Sequence, residues 1–364
     1  MRVLHVTDTY LPRLGGIEVL VDDLATHQRQ AGHQVLVLTS SPGPDDADTV
    51  RLGGALFSPA AERIRAFQPD AVHCHSSIVS PLAWRTARQA TAMGVPVLVT
   101  MHSMVPRQGL VPRSLRQLAQ AMPDTVAWSA VSTPAAQALR PVVGTDVLVL
   151  PNGLDQDACR PASPGTNDVP LIVSVMRLAH RKRPLELVAI LAQVKARLGD
   201  QPWRAAIVGD GPLRSATAQA IRRAGLDGHV RLTGRLSRPE IMRLLSQADL
   251  FLAPAHLESF GIAALEARCS GLPVVAMSSG GVSEFIAGGR HGHLVRNDAD
   301  MAWRTAGMLL DPAGLRAMAR RSLAEPPDLG WAGVVDRSLD AYRVARARAS
   351  ATVLTPARLL VGSA

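Results

Sequence analysis

Along the chain, short runs rich in Val, Leu and Ile alternate with stretches whose apolar residues recur at helical spacing. Residues 2–6, RVLHV, are apolar on both faces, as a strand buried in a parallel sheet must be. A turn containing Gly15 and Gly16 follows. Ile17, Leu20, Val21 and Leu24 then fall at i, i+3, i+4 and i+7, which predicts a helix ending at Gly32. Further strands are predicted at 35–39, 71–75, 97–101, 126–131 and 147–150. From 151 to 169 the texture changes to Pro, Gly and polar residues, the composition of a linker. The alternation then restarts, with strands at 171–175, 205–209, 230–233, 250–253, 273–276 and 292–295 and a helix opening at Pro184. Ser237 and Glu240 have capping-box spacing ahead of Ile241, Leu244, Leu245 and Ala248. Trp331, Val334, Val335, Leu339 and Tyr342 share one side of a last helix. The tail 351–364 gives no clear signal.

This β-α alternation predicts an α/β protein of two doubly wound, Rossmann-like domains facing each other across a cleft. The length of 364 residues fits two domains. Ligands in such sheets bind outside the carboxyl ends of the strands.

Composition narrows the field. A chain that is 47% hydrophobic can bury full cores, and no apolar run reaches the ~18 residues of a membrane span. Asp8 comes too soon for a signal-peptide core, so a cytoplasmic protein is expected. Cys74, Cys159 and Cys269 are odd in number and far apart, against a disulfide framework or a Cys-rich zinc site. A net charge of +9 suits an anionic partner, whereas 3% aromatics supply few platforms for stacked bases, so nucleic acid is not expected.

Four stretches carry candidate chemistry. In 254–273 the carboxylates Glu258 and Glu266 are eight residues apart, one before and one within a short helix that opens at Gly261 and closes at Gly271. Free N–H groups at such a helix start attract phosphate, and the two carboxylates could grip hydroxyls on either side of a diphosphate. An ordinary surface helix is the plainer alternative. Residues 177–184, RLAHRKRP, gather Arg177, Arg181, Lys182 and Arg183 at the positive end of a helix, where exposed cations are disfavoured by ~0.3–1 kcal/mol each. An anion among them is one reading and a solvated basic loop the other. Gly15 and Gly16 would let backbone approach a phosphate, yet LPRLGGIE lacks the G-x-G-x-x-G dinucleotide fingerprint. His102 ends strand 97–101, where it could orient a sugar, accept a proton or be merely structural. His73 and His75 point to one face of a strand, but no third ligand is near in sequence, so no metal site is expected. Asp46, Asp48, Asp298 and Asp300 are read as turn and cap residues. Arg113, Leu115, Arg116, Leu118 and Met122 fit either a helix lining a cleft or a basic amphipathic helix touching a membrane.

Together these residues resemble retaining nucleotide-sugar glycosyltransferases of family 4, of GT-B architecture, over nearly the whole chain. The most specific element is 258–266, ESFGIAALE, which matches the family's E-x7-E pattern. Residues 151–155, PNGLD, resemble its linker motif with Leu at the aliphatic position, and Arg177, Lys182, 209–212 (GDGP), Gly234, Arg235 and Leu236 match as well. The resemblance implies an acceptor-side domain over 1–155, a linker at 156–169, a nucleotide-sugar domain over 170–330, and a helix 331–349 packing back on the first domain. It implies that Arg177 and Lys182 hold the donor's diphosphate, Glu258 the sugar and Glu266 the ribose. Ser259, Phe260, Gly261 and Ile262 line the donor, Gly234, Arg235 and Leu236 face the base, Gly15 and Gly16 admit the diphosphate, and His102 lies beside the sugar. The expected reaction is metal- and cofactor-independent retaining transfer by front-face attack. A UDP-sugar is the favoured donor, with a GDP-sugar second, and the acceptor is a hydroxyl on a small molecule or a lipid-linked one. A nucleotide-sugar epimerase of similar fold and a non-catalytic sensor are the alternatives. One departure from the family is the short stretch between strands 35–39 and 71–75, which lacks the long segment that often shapes an acceptor site.

Overall fold

The computed structural model describes residues 1–13, 15–52, 60–106, 109–159 and 167–353. It divides into two compact units, Met1–Gly153 with Trp331–Ala364, and Leu154–Gly330.

In the first unit the elements run β1 (Arg2–Thr7), α1 (Gly16–Gln30), β2 (Gln34–Thr39), β3 (Thr49–Arg51), α2 (Ala60–Phe67), β4 (Ala71–Ser76), α3 (Pro81–Ala92), β5 (Val97–Met101), α4 (Leu110–Gln120), β6 (Ala127–Ala130), α5 (Thr133–Val143) and β7 (Val147–Val149). The strands form one parallel sheet in the order β3-β2-β1-β4-β5-β6-β7. The order reverses at β1, since β1 sits between β2 and β4, and this is where such sheets open a ligand crevice. Val3, Leu4, Val6, Val72, Cys74, Leu98 and Val99 are all buried, so both faces of the central strands are covered. That explains why these strands read as apolar on every position. The short stretch after β2 holds β3 and α2, which the sequence pattern did not reveal.

The second unit runs α6 (Gln156–Cys159), β8 (Leu171–Val175), α7 (Pro184–Leu198), β9 (Arg204–Val208), α8 (Arg214–Arg223), β10 (Val230–Gly234), α9 (Arg238–Ser246), β11 (Leu250–Ala253), α10 (Ile262–Cys269), β12 (Val274–Met277), β13 (Gly292–Val295), α11 (Asp298–Leu310) and α12 (Pro312–Ala324). Its sheet is parallel in the order β10-β9-β8-β11-β12-β13, reversing at β8. The Ser237 N–H and hydroxyl both donate to the Glu240 carboxylate, at 2.7 and 2.6 Å, and start α9 as its sequence spacing predicts. The last element, α13 (Trp331–Val353), belongs to the first unit, where Val334, Val335, Tyr342 and Ala345 are buried.

Three stretches are resolved more finely than their sequence allows. Leu115 and Met122 of the α4 region are buried in the first unit's core, so of Leu115, Leu118 and Met122 only Leu118 is exposed, and these three do not form the exposed apolar stripe that a membrane-lying helix needs. Asn297, rather than an aspartate, caps α11, accepting from the Asp300 N–H at 2.9 Å. Within the stretch read as linker, residues 156–159 are helical, while 160–166 lie outside the described residues, as do Leu14 of the first turn and 354–364 of the tail. Among the described residues no helix is long and apolar enough to cross a membrane, and all three cysteines are free and buried.

Candidate active site

In the second unit the carboxyl ends of β8, β9 and β10 are drawn together by backbone contacts. Met176 N–H donates to Val208 O at 3.0 Å, and Gly209 N–H donates to Gly234 O at 2.8 Å. Gly209, at φ +132°, lies so close to the β8 strand end that a Cβ would sit 1.8 Å from Met176 O. Arg177 follows directly, exposed, with no side-chain partner among the described residues. A 3-10 turn, His180–Lys182, then leads to Arg183, whose left-handed φ of +60° aims the chain into α7 with Pro184 as first helical residue.

The basic loop is less open than its sequence suggests. Arg183 forks onto Asp298 at 2.9 and 2.8 Å, Arg181 donates to Leu257 O at 3.3 Å, and the Lys182 ammonium is bound to the Glu258 carboxylate. Of the four cations, Arg177 alone is uncommitted among the described residues. Among the described residues the loop thus holds one unpaired guanidinium, Arg177, beside the Lys182–Glu258 charge pair.

Glu258 stands in the loop between β11 and α10. That loop is pinned from beneath by Gly280 and Gly281: Gly281 N–H donates to Glu258 O at 2.8 Å, and a Cβ on Gly281 would sit 2.2 Å from Ser259 O. Only glycine permits this approach. Gly261, at φ +96°, opens α10 without a side-chain cap. The helix start therefore offers backbone N–H donors and the positive end of its dipole to an anion. Glu266 is buried on the helix, with Arg238 Nε 3.4 Å from its Oε1. Phe260, which the sequence places along the donor, is 1% exposed, and its ring packs on Phe285. Gly234 is buried at φ +79°, and Arg235 and Leu236 follow it, exposed and half-buried.

In the first unit, Gly15 is extended and exposed ahead of α1, and Gly16 is that helix's first residue. The space a Gly15 Cβ would take is filled by the Glu18 carboxylate, 2.3 Å from that position, which also meets Arg13 Nε at 3.4 Å. His102 follows β5 and is half-buried. Its Nε2 lies 3.0 Å from His75 Nδ1, His75 Nε2 lies 2.8 Å from His5 Nδ1, and His5 Nε2 lies 2.7 Å from Gln28 Oε1. His73 sits alongside, between the Tyr342 hydroxyl at 2.9 Å and Thr100 Oγ1 at 2.6 Å. Burial holds His5 and His102 at pKa values of about 4 and lowers His73 and His75 well below the usual range.

The third imidazole that sequence proximity did not supply comes from β1: ligand atoms of His5, His73 and His75 all lie within 4.8 Å of one another. The nitrogens of these three rings already have protein partners, so the cluster is built as a hydrogen-bonded chain. Sequence reasoning missed His5 and Gln28 because register across neighbouring strands, His5 beside His73, unites them. It missed Asp298, Arg238, Gly280 and Gly281 for the same reason: their roles arise only from tertiary contact.

Two family models match the chain. Residues 155–322 match "Glycosyl transferases group 1" and residues 14–158 match "Glycosyltransferase Family 4". Among curated relatives, the chain is 28% identical to a D-inositol 3-phosphate glycosyltransferase of Kineococcus radiotolerans, over 90% of each chain. It is 26% identical to a glycogen synthase of Mycobacterium tuberculosis, over 95% of each. Among solved structures, Anabaena Alr3699/HepE in complex with UDP and glucose superposes with a TM-score of 0.77 at 19% identity, covering 94% of this chain and 99% of that one. Sucrose-phosphate synthase of Thermosynechococcus elongatus gives 0.74 at 20%, covering 94% and 98%. Both sheets, their flanking helices and the matched span from residue 14 to residue 322 lead to one statement: the chain is a glycosyltransferase of the GT-B type.

Proposed function

We propose that the protein is a retaining, metal-independent glycosyltransferase that moves a sugar from a UDP-sugar to a hydroxyl acceptor, a small molecule or a lipid-linked one. The observation that carries this reading is the Lys182–Glu258 pair beside the uncapped start of α10, with Arg177 uncommitted. A diphosphate is doubly charged and offers several acceptor oxygens, so it competes with Glu258 for Lys182. Displacement leaves the Glu258 carboxylate to accept hydrogen bonds from hydroxyls of the transferred sugar. Glu266, held by Arg238, is assigned to the ribose hydroxyls, and the backbone of Gly234, Arg235 and Leu236 to the base. Ser259, Gly261 and Ile262 line the diphosphate and sugar. On the first unit Gly15 and Gly16 are assigned to the diphosphate and His102 to the sugar.

In the reaction the bond between the anomeric carbon and the diphosphate oxygen breaks, and its electron pair leaves with UDP. The transition state is oxocarbenium-like. The acceptor oxygen bonds to the same face of that carbon, and its proton passes to the departing phosphate oxygen. Positive charge fixed around the diphosphate stabilises the transition state more than the ground state. Arg177, Lys182 and the α10 dipole supply that charge from the chain itself. One solved structure of similar fold, Anabaena Alr3699/HepE, is known both with UDP and glucose and with UDP-glucose, which favours uridine as the first nucleotide to try.

A thermal-shift panel of UDP-, GDP-, TDP- and ADP-sugars tests the donor, since a ligand at 100 times its Kd adds about 2.7 kcal/mol. UDP-sugars are expected to give the largest shift, and NMR of the product formed with excess EDTA is expected to show a retained anomeric configuration. An inverted product, activity abolished by EDTA, or nucleotide release without any acceptor would overturn the corresponding part of the proposal, the last in favour of an epimerase.

A further inference from the structure

The buried chain behind His102 has a direction that donor and acceptor counting determines. Ser338 Oγ lies 2.6 Å from the Val335 carbonyl, which has no proton to give, so the hydroxyl donates there. Ser338 must then accept from Gln28, 2.9 Å away, which places the amide nitrogen of Gln28 toward Ser338 and also 3.0 Å from the Tyr342 hydroxyl. The amide oxygen of Gln28 therefore faces His5 and can only accept, so His5 Nε2 carries the proton across the 2.7 Å contact. With all the rings neutral, His5 Nδ1 is a bare lone pair and must accept from His75 Nε2–H. His75 Nδ1 in turn must accept from His102 Nε2–H. A reversed chain would set the lone pairs of His5 Nε2 and Gln28 Oε1 against each other inside the core. The depressed pKa values of these imidazoles are consistent with their being neutral near pH 7.

We infer that Gln28, acting through His5 and His75, fixes His102 as the Nε2–H tautomer, so that its Nδ1 presents a lone pair that accepts from a sugar hydroxyl and rejects a phosphate oxygen. Nδ1 of His102 has no protein partner among the described residues. Gln28, His5 and His75 are positioning residues, and what they position is the acceptor character of one atom. The hydroxyl half of this inference rests on the assignment of His102 to the sugar; the tautomer half does not.

The experiment is NMR of the full chain labelled with 15N in its histidine rings, with His102 identified by a His102→Gln spectrum. In the ligand-free protein at pH 7, His102 is expected to show protonated Nε2 and unprotonated Nδ1. Gln28→Leu removes the terminal acceptor, so His102 is expected to switch toward Nδ1–H. Tyr342→Phe leaves Ser338 to hold the amide of Gln28 and is expected to keep the native tautomer. A His102 protonated on Nδ1 in the wild-type chain would overturn the inference, and that spectrum decides even where Gln28→Leu does not fold. An unchanged tautomer in folded Gln28→Leu would overturn it as well. Saturation with UDP-glucose, but not with UDP, is expected to move the Nδ1 resonance. An unmoved resonance with bound UDP-glucose would overturn the assignment of His102 to the sugar and leave the tautomer standing.

Discussion

Replacing Lys182 with Ala is expected to lower kcat by ~10²–10³, the range for loss of one preorganised electrostatic donor, while the protein stays folded. The two halves of this expectation come from different features of the same ammonium. Lys182 and Glu258 have side-chain exposures of 35% and 18%, so their ion pair is partly in water. Pairs of that kind contribute about 0–1 kcal/mol to stability, and Tm should hardly move. In the proposed reaction the same ammonium faces charge that grows as the diphosphate departs. Its loss is therefore concentrated in the transition state, where kcat reads it. Steady-state kinetics with the nucleotide sugar that gives the largest thermal shift checks this. A kcat within a factor of about three of wild type would remove Lys182 from the catalytic machinery; a large rise in KM with unchanged kcat would make it a ground-state binding residue instead.

Gly209→Ala is expected to damage stability and activity together. A Cβ at this position would stand 1.8 Å from Met176 O and 2.9 Å from Met176 C, both backbone atoms that no rotamer change can move aside. The residue is also at φ +132°, outside the range L side chains adopt readily. Strain of this backbone kind alone costs on the order of 1–3 kcal/mol, and forcing β8 and β9 apart adds about as much again. For a unit of this size each kcal/mol moves Tm by ~2–4 °C, so a combined cost of about 2–6 kcal/mol should lower thermal unfolding by roughly 4–24 °C. Because Met176 precedes Arg177, the displacement also reaches the guanidinium. Differential scanning calorimetry with parallel kinetics tests the claim. A Tm within 2 °C of wild type, on the order of one kcal/mol, would mean that the strand ends are not as tightly joined as described.

Much of this was legible in the sequence, for identifiable reasons. A parallel sheet buries both faces of its strands, so runs such as LIVSV at 171–175 and LFLA at 250–253 announce themselves, and both strands have the predicted bounds. Pro184 marked the start of α7 because its missing N–H costs nothing there. The E-x7-E stretch disclosed a helix start at Gly261 and the Lys–Glu neighbourhood lies around it. What stayed hidden depends on register and on distant partners. Asp298 takes Arg183 across 115 positions of sequence, and this helps convert an apparently open basic cluster into one with a single unpaired cation among the described residues. Gln28, His5 and His75 lie on a helix and two adjacent strands, so no local spacing links them. Gly280 and Gly281 look like an ordinary turn until the loop carrying Glu258 is seen resting on them. The apolar spacing around α4 left two readings open because spacing alone does not say what an apolar face packs on; Leu115 and Met122 fill the core.

In the proposed mechanism a diphosphate takes Lys182 from Glu258 and settles with Arg177 at the amino end of α10. A crystal structure of the protein with UDP tests it most directly. Diphosphate oxygens are expected about 2.7–3.2 Å from the Arg177 guanidinium, the Lys182 ammonium and an N–H at the start of α10, with the Lys182–Glu258 contact opened. A diphosphate bound elsewhere, with Lys182 still on Glu258, would contradict it.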